Sequence, residues 1–312
     1  MPTGHLLPLA GYRHLIGLDR PFIPAASPAA PEAFDDLIRG LLFVLGADPA
    51  AARLGVTADQ VRAAATGQAR ALLRALMTIR DPGPLPSAAV PLLDALLGGE
   101  QAERASVDAA ALATIGRQHP GTRYPAADTA VLWRGDITTL GVDAIVNAAN
   151  SGLLGCFQPA HRCVDNVIHA AAGHRLREDC HTIVTAQHGP EPTGTAKVTR
   201  GYHLPASYVL HTVGPIVERA LTAHHEAALS ASYRSCLDLA AAVDDIRTVA
   251  FCSISTGLFG YPKAQAARVA LSTVAAWLAD HPGRLDRVVL DVYDSDDLHT
   301  YQHALTTWEH PS

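Results

Sequence analysis

Cys156, His161 and Cys163 place two thiols and one imidazole within eight residues of a 312-residue sequence. Thiolate sulfur and imidazole nitrogen are donors suited to zinc, and a loop carrying Gly155 and Pro159 can wrap around an ion. The spacing matches no standard zinc-finger pattern, so a chance meeting of three ordinary side chains stands beside the metal reading. A structural zinc takes four protein ligands, whereas a catalytic one keeps a position for water or substrate. His169, six residues past Cys163, is the candidate for a fourth ligand. On a helix starting near Asp165 it borders the apolar stripe of Ile168, Ala172, Leu176 and Cys180, which points instead to packing or hydrogen bonding. Cys180, Cys236 and Cys252 read as core residues. Five cysteines are too few, and odd in number, for a disulfide scaffold.

Asp165 is the only carboxylate between Asn150 and Glu178, two residues past Cys163, and is either a helix cap or a catalytic base. Asn150 carries an amide that donates and accepts, which suits sugar hydroxyls, while Asn147 is placed to brace the loop. Asp136 lies in a turn where it can accept a hydrogen bond from an exocyclic amine, with Ile137 as an apolar wall; a Gly-Asp turn is also often just a turn. Ser255, Thr256, Gly257, Leu258, Phe259 and Gly260 form a loop between a strand and a helix whose first turn begins near Pro262. Such a loop brings backbone N–H groups and a helix N-terminus to a diphosphate without Lys or Arg, or is simply a turn that needs glycine. His224 and His225 read as solvated.

These residues need elements to position them. Pro2, Pro8, Pro21, Pro24, Pro28 and Pro31 predict an irregular arm lying on the surface. Residues 34–116 read as helical. Thr57 and Gln60 have capping-box spacing, and Val61, Ala65, Leu72, Leu76 and Ile79 continue one helix to the stop at Asp81-Pro82-Gly83-Pro84. Further helices are predicted over 90–97, ending at Gly98-Gly99, and over 107–115. After a linker at 121–127, strands are predicted at 130–134, 144–147, 196–200, 208–212, 248–253 and 287–293. Helices are expected at 165–182, 223–243, 264–280 and after Ser295, giving one sheet layered between helices. The stretch 147–166 is then a loop at a sheet edge, where α/β folds tend to place ligands.

Composition narrows the classes. Hydrophobic residues make up 48% of the chain, enough for a substantial core, and only 17% are charged. Lys and Arg number 24 against 30 Asp and Glu, a formal charge of −6 without any basic run, which argues against binding nucleic-acid polymers. Apolar runs such as Leu41 to Leu45 fall well short of the roughly 20 residues that span a bilayer. The start, Met1 to Leu7, lacks the pattern of an export signal, so a cytoplasmic protein is expected.

Four separated segments carry a resemblance. Trp133-Arg-Gly-Asp-Ile-Thr138, Val142-Asp-Ala-Ile-Val-Asn-Ala-Ala-Asn150, Ile168-His-x3-Gly173 and Ser253-Ile-Ser-Thr-Gly-Leu-Phe-Gly-Tyr-Pro262 resemble, in order, the signatures of a macrodomain over about residues 128–312. In the hydrolytic MacroD-type members a glycine-rich loop runs directly to a catalytic Asp. Here a longer loop with Cys156, His161 and Cys163 precedes Asp165, which, with the helical region before it, resembles the zinc-dependent macrodomains, bacterial hydrolases of protein-linked ADP-ribose. Residues 34–116, including Arg74-Ala-Leu-Met-Thr-Ile-Arg80, resemble that group's N-terminal extension.

The resemblance implies an α/β fold, a three-layer α/β/α macrodomain with a mixed, about six-stranded sheet, divided as 1–127 for arm and helical extension and 128–312 for the macrodomain. It implies adenine against Asp136, Ile137 and Tyr293, the diphosphate on the 255–260 loop, ribose on Asn150, Asp165 as base, and Zn2+ on Cys156, His161 and Cys163. The activity implied is removal of ADP-ribose from an ester-type linkage to an acidic side chain of a mono-ADP-ribosylated protein. The alternatives are a non-catalytic ADP-ribose-binding module whose zinc is closed by His169, or deacylation of O-acetyl-ADP-ribose. A lipoyl-carrier protein modified by a macrodomain-linked sirtuin is the implied partner, and a monomer the expected state.

Overall fold

A computed structural model describes residues 6–308; Pro2 of the arm and the first five residues of the Met1 to Leu7 start lie outside the described residues. Six strands form the main sheet: β1 Ala130–Arg134, β2 Ala144–Ala149, β3 Ala196–Arg200, β4 Tyr208–Val213, β5 Thr248–Phe251 and β6 Arg287–Val292. Their order across the sheet is β1-β6-β5-β2-β4-β3. All neighbours are parallel except β3 with β4, so the sheet is mixed with an antiparallel edge. Runs such as Val288-Val289-Leu290 are buried throughout, as expected for strands covered on both faces. Each sequence-predicted strand is present, with ends shifted by at most two residues.

Helices flank the sheet. Helix α6 (Val164–Ala172) packs on β2 and on α7 (His174–Gln187), and α8 (Ala223–Ala241), α9 (Lys263–Asp280) and α10 (Ser295–Thr306) pack in succession. The single helix expected over 165–182 is broken at Gly173, which has φ 91°, a conformation that favours glycine. A Cβ there would also come within 2.8 Å of Leu97 Cδ1, so the break is where the helical N-terminal unit approaches.

That unit comprises α1 (Phe34–Val44), α2 (Pro49–Leu54), α3 (Ala58–Ala63), α4 (Thr66–Ile79) and α5 (Ala89–Glu103), around a core that includes Leu41, Leu45, Leu73, Leu76 and Leu96. The capping box of Thr57 and Gln60 is formed, but the helix it starts ends at Ala63. Arg39 takes the carbonyls of Val61 and Ala64 at 2.6 and 2.9 Å, and Gln68 then recaps the chain by accepting from the Ala65 amide. Helix α5 runs straight through Gly98 and Gly99, against the expected stop. A side chain at Gly99 would collide with the Ala29 carbonyl, so these glycines serve close packing rather than termination.

Two other expectations change. Residues 107–115 are not a helix: Asp108 accepts from the Ala110 amide at 2.8 Å, and Val107–Asp108 pairs with Leu140–Gly141 as a short parallel ladder. The proline-rich arm is not confined to the surface. Tyr12, Ile16 and Leu18 are buried in the sheet's own core, and the Tyr12 hydroxyl accepts from the Val198 amide on edge strand β3 at 3.0 Å. The edge strand therefore has part of its open hydrogen-bonding row covered, as exposed edges usually require.

Candidate functional site

The parallel strands place four loops on one edge of the sheet. In the order β1-β6-β5-β2 they present Asp136, then Tyr293, then the 255–260 loop, then Asn150 and the cysteine-bearing loop. Three strand spacings span about 14 Å, and the chain leaves β2 and β5 for opposite sides of the sheet, which is where α/β folds open a ligand crevice. The groove thus has a nucleotide-like end and a metal-like end.

At the metal-like end, Asn150 closes its own loop. Its Nδ2 donates to the Gly155 carbonyl at 2.9 Å and its Oδ1 accepts from the Gly152 amide at 2.9 Å, so the side chain expected on ribose also braces the loop. Gly155 has φ 87°, and a Cβ there would meet Arg177 Nη2 at 3.2 Å and the His169 ring at 3.5 Å. Beyond it, Cys156 Sγ lies 3.1 Å from His161 Nδ1, and the ligand atoms of Cys156, His161 and Cys163 all fall within 4.8 Å of one another. A tetrahedral zinc with Zn–S near 2.3 Å and Zn–N near 2.0–2.1 Å holds its donors roughly 3.5–3.8 Å apart, so the three residues would fit that ion once the Cys156–His161 pair opens slightly and any wider separations close. Among the described residues, no further Cys, His or carboxylate joins the group, and His169 stands outside it. Asn166 fixes the loop from the helix side, donating to the carbonyls of Gln158 and His161 at 2.8 and 2.9 Å.

Asp165 does not cap α6. Cys163 does, its sulfur accepting from the Asn166 amide at 3.5 Å, and Asp165 sits inside the first turn, only 4% exposed. Asn147 Nδ2 donates to its Oδ1 at 2.8 Å. Burial pushes the Asp165 carboxyl up to about 6, against the opposing pulls of Asn147 and Arg177. His169 Nε2 lies 3.4 Å from the same oxygen, and burial holds that imidazole neutral by driving its pKa well below the usual value. Among the described residues, buried Asn147 Oδ1 and both buried His169 ring nitrogens make no hydrogen bond.

At the other end, Asp136 Oδ1 accepts from the amide and hydroxyl of Thr138 at 3.0 and 2.6 Å. Its Oδ2 meets Arg104 Nη2 at 2.6 Å, so Oδ2, unlike the doubly hydrogen-bonded Oδ1, keeps one further lone pair. Ile137 is buried beneath this turn rather than standing open beside it. Tyr293 is 81% exposed and Leu258 77%. Ser255 has φ 66° and a buried Oγ without a partner among the described residues, and Val217 donates to the Phe259 carbonyl at 2.8 Å, pinning the loop from outside. Among the described residues, no protein acceptor takes the amides of Gly257, Leu258 and Phe259, so these donors are free for an anion. Thr256 and Gly260 shape the loop, through Thr256 Oγ1 donating to Ser253 O at 2.9 Å and the Gly260 amide donating to Gly257 O at 3.0 Å.

Sequence reasoning missed three contributors. Arg177 on α7 stacks on Phe157 of the metal loop with its guanidinium carbon 4.8 Å from the ring centre, and donates to the carbonyls of Met77 and Arg80 at 2.9 and 2.7 Å. An arginine placed beside the Leu176/Cys180 apolar stripe was the only available signal. Arg104 gave none, because its partner Asp136 lies 32 residues on. Asp291 on β6 is buried, and burial followed by the Asp136 charge pushes its carboxyl well above the usual range.

The strand order and the groove define a three-layer α/β module with a crevice outside the carboxyl ends of its parallel strands. The chain belongs to the Macro domain family: that family's profile matches residues 146–270, and relatives match over longer spans. A Treponema medium protein-ADP-ribose hydrolase is 42% identical over 235 residues, 75% of this chain and 87% of its own length. A Staphylococcus aureus (strain MSSA476) protein of the same name is 44% identical over 207 residues, 65% of this chain and 77% of that one. The solved Trypanosoma brucei macrodomain in complex with ADP-ribose is 36% identical with a TM-score of 0.55, covering 64% of this chain and 77% of that one. The Oceanobacillus iheyensis macrodomain with ADP is 34% identical with a TM-score of 0.52, covering 59% and 94%.

Proposed function

We propose that the protein is a hydrolase that removes ADP-ribose from mono-ADP-ribosylated protein, at an ester-type linkage to an acidic side chain. The observation that carries this reading is Asp165, a carboxylate buried at the metal-like end of the groove with unpaired polar atoms beside it. Burying a carboxylate is costly, and a module that only binds has no need of one there. The names of the Treponema and Staphylococcus relatives support hydrolysis of protein-linked ADP-ribose, without specifying the linkage. The geometry gives no support to a metal site closed by His169, which the binding-only reading requires.

In this mechanism adenine rests against Tyr293 with its amine toward Asp136, and the amides of Gly257, Leu258 and Phe259 hold the diphosphate. Asn150 keeps the loop in shape beside the distal ribose. Asp165 takes a proton from the attacking water or from a ribose hydroxyl. Water oxygen bonds to the anomeric carbon as the bond from that carbon to the ester oxygen breaks, and the acidic side chain departs as its carboxylate. Cys156, His161 and Cys163 would hold zinc, which when bound supplies Lewis acidity toward a ribose hydroxyl or water. A lipoyl-carrier protein modified by a macrodomain-linked sirtuin is the proposed target by resemblance, met in the cytoplasm by a monomer.

The test incubates the protein with a mono-ADP-ribosylated protein and measures free ADP-ribose, alongside a chelator-treated sample and Cys163→Ala. Release by the untreated protein alone is expected. No release by the untreated protein sinks the hydrolase, and full release after verified metal removal sinks the zinc dependence.

A further inference from the structure

We propose that His211 is a positioning residue for the reaction: fixed in one tautomer by Thr199, it locks the Asn147 amide in the orientation that holds Asp165. The proposal rests on the hydrolase reading above. It starts from a hydrogen-bond chain that crosses three strands beneath the groove. Thr199 lies on β3, His211 on β4 and Asn147 on β2, where Asn147 and His211 are register partners. All three side chains are fully buried.

Asn147 Nδ2 has two protons and two neighbours, Asp165 Oδ1 at 2.8 Å and His211 Nδ1 at 3.1 Å. Both neighbours must accept. His211 Nδ1 therefore carries a lone pair, and the ring proton sits on Nε2, 3.0 Å from Thr199 Oγ1. Thr199 can accept it because its own proton is directed at the Arg200 carbonyl, 3.3 Å away. Donors and acceptors alternate along the chain without conflict. Burial also pushes the His211 imidazole down to about 3, so the ring stays neutral with one proton to place.

The consequence falls on Asp165. If the Asn147 amide turned over, its oxygen would face both the carboxylate and His211 Nδ1, setting acceptor against acceptor twice in a buried site. With its proton on Nε2, the ring thus opposes the turned-over orientation of the amide. Cys180 Sγ, 3.7 Å from His211 Nε2, fills space beside the ring and is not needed for this logic.

Two replacements separate this role from simple packing. In His211→Asn the new amide oxygen falls near the former Nδ1 and can still accept from Asn147. In His211→Gln the polar end falls near the former Nε2 and leaves Asn147 without its acceptor. His211→Gln should lower kcat about tenfold to a hundredfold, a range typical for lost outer-shell partners. His211→Asn should stay within about threefold of wild type, and both should bind ADP-ribose within about twofold of wild type, as expected when only one buried hydrogen bond changes. Equal kcat losses in the two variants, or losses matched by weakened ADP-ribose binding, would overturn the proposal. A readout independent of turnover is the nitrogen-15 spectrum of the histidine rings. It should show His211 protonated at Nε2 and bare at Nδ1, and the opposite tautomer overturns the lock even in an active enzyme. A wild-type protein that binds ADP-ribose and shows the expected tautomer but releases no ADP-ribose overturns the hydrolase reading, and the catalytic role with it, while leaving the lock standing.

Discussion

At the Tyr293 end of the groove Tyr293 and Leu258 stand largely in solvent, and Asp136 is joined to Arg104 by a half-exposed ion pair. At the other end Asp165, Asn147 and His211 are buried, with Asn147 bonded to both of the others. The helical N-terminal unit shows the same contrast. It reaches Asp136 through that half-exposed pair, yet beside α7 it buries Asp94 against Arg175 at 2.6 Å and His203 at 3.0 Å. The difference teaches where each kind of free energy arises. Binding surfaces gain by being covered when the ligand arrives, whereas reacting groups must be placed and partly desolvated beforehand.

The contrast is broken or sharpened by four measurements. The largest effect belongs to Asp165→Asn, which should cut kcat by about a hundredfold to ten-thousandfold, the usual worth of a general base, while ADP-ribose affinity by calorimetry changes little. Comparable losses in kcat and affinity would mean that the buried end does the binding as well.

Asp94→Ala should come next, destabilising the protein by about 3 kcal/mol because Arg175 and His203 lose a buried partner. Denaturant melts read this directly, and an unchanged midpoint would show that the N-terminal unit is held elsewhere. The same contact should fail in acid. Burial raises the Asp94 carboxyl, but hydrogen bonds from Arg175, the Ala25 amide and His203 outweigh it and hold the pKa at about 2. Burial, aided by Arg175, lowers neighbouring His174 to about 4. His174 is neutral in the folded protein but protonates near pH 6.5 when unfolded, so stability should fall as pH drops from about 6.5 to 4. Below the ordinary carboxylate value of about 3.9 the Asp94 contribution should be lost as well, down to about pH 2. Stability that is flat between pH 6.5 and 4 would contradict the arrangement.

Tyr293→Ala should weaken ADP-ribose about tenfold, toward the lower end of the range for one base stacked on an aromatic ring, with kcat at saturation unchanged. A fall in kcat instead would place Tyr293 in the reacting assembly. Arg104→Ala should have the smallest effect, within about 1 kcal/mol in affinity, because its pair with Asp136 is half-exposed.

The sheet was legible because strand patterning is local. Runs such as Val131-Leu132 and Val288-Val289-Leu290 are short, apolar and bounded by turn residues, and all six appear where they were expected. Helix ends were less legible. Gly98-Gly99 and Gly173 looked alike or invisible as signals, yet the first pair lies inside a helix and the second residue breaks one. What decided each was the neighbour packed against it, Ala29 and Phe34 in one case and Leu97 in the other. The Cys156, His161 and Cys163 group was visible because all three lie on one loop, whereas Arg177 and Arg104 were not, since their partners lie far off in the chain.

Taken alone, the order of residues determined the set of strands, their alternation with helices and the gathering of sulfur and nitrogen donors on one loop, all properties of neighbours along the chain. Tertiary structure decided which polar groups face each other: that Cys163 rather than Asp165 caps α6, that Asn147 holds Asp165, and that the arm's Tyr12 enters the core. Those outcomes depend on direction and distance between segments far apart in sequence. Hydrogen bonding and burial respond to that geometry, and local propensity carries no information about it.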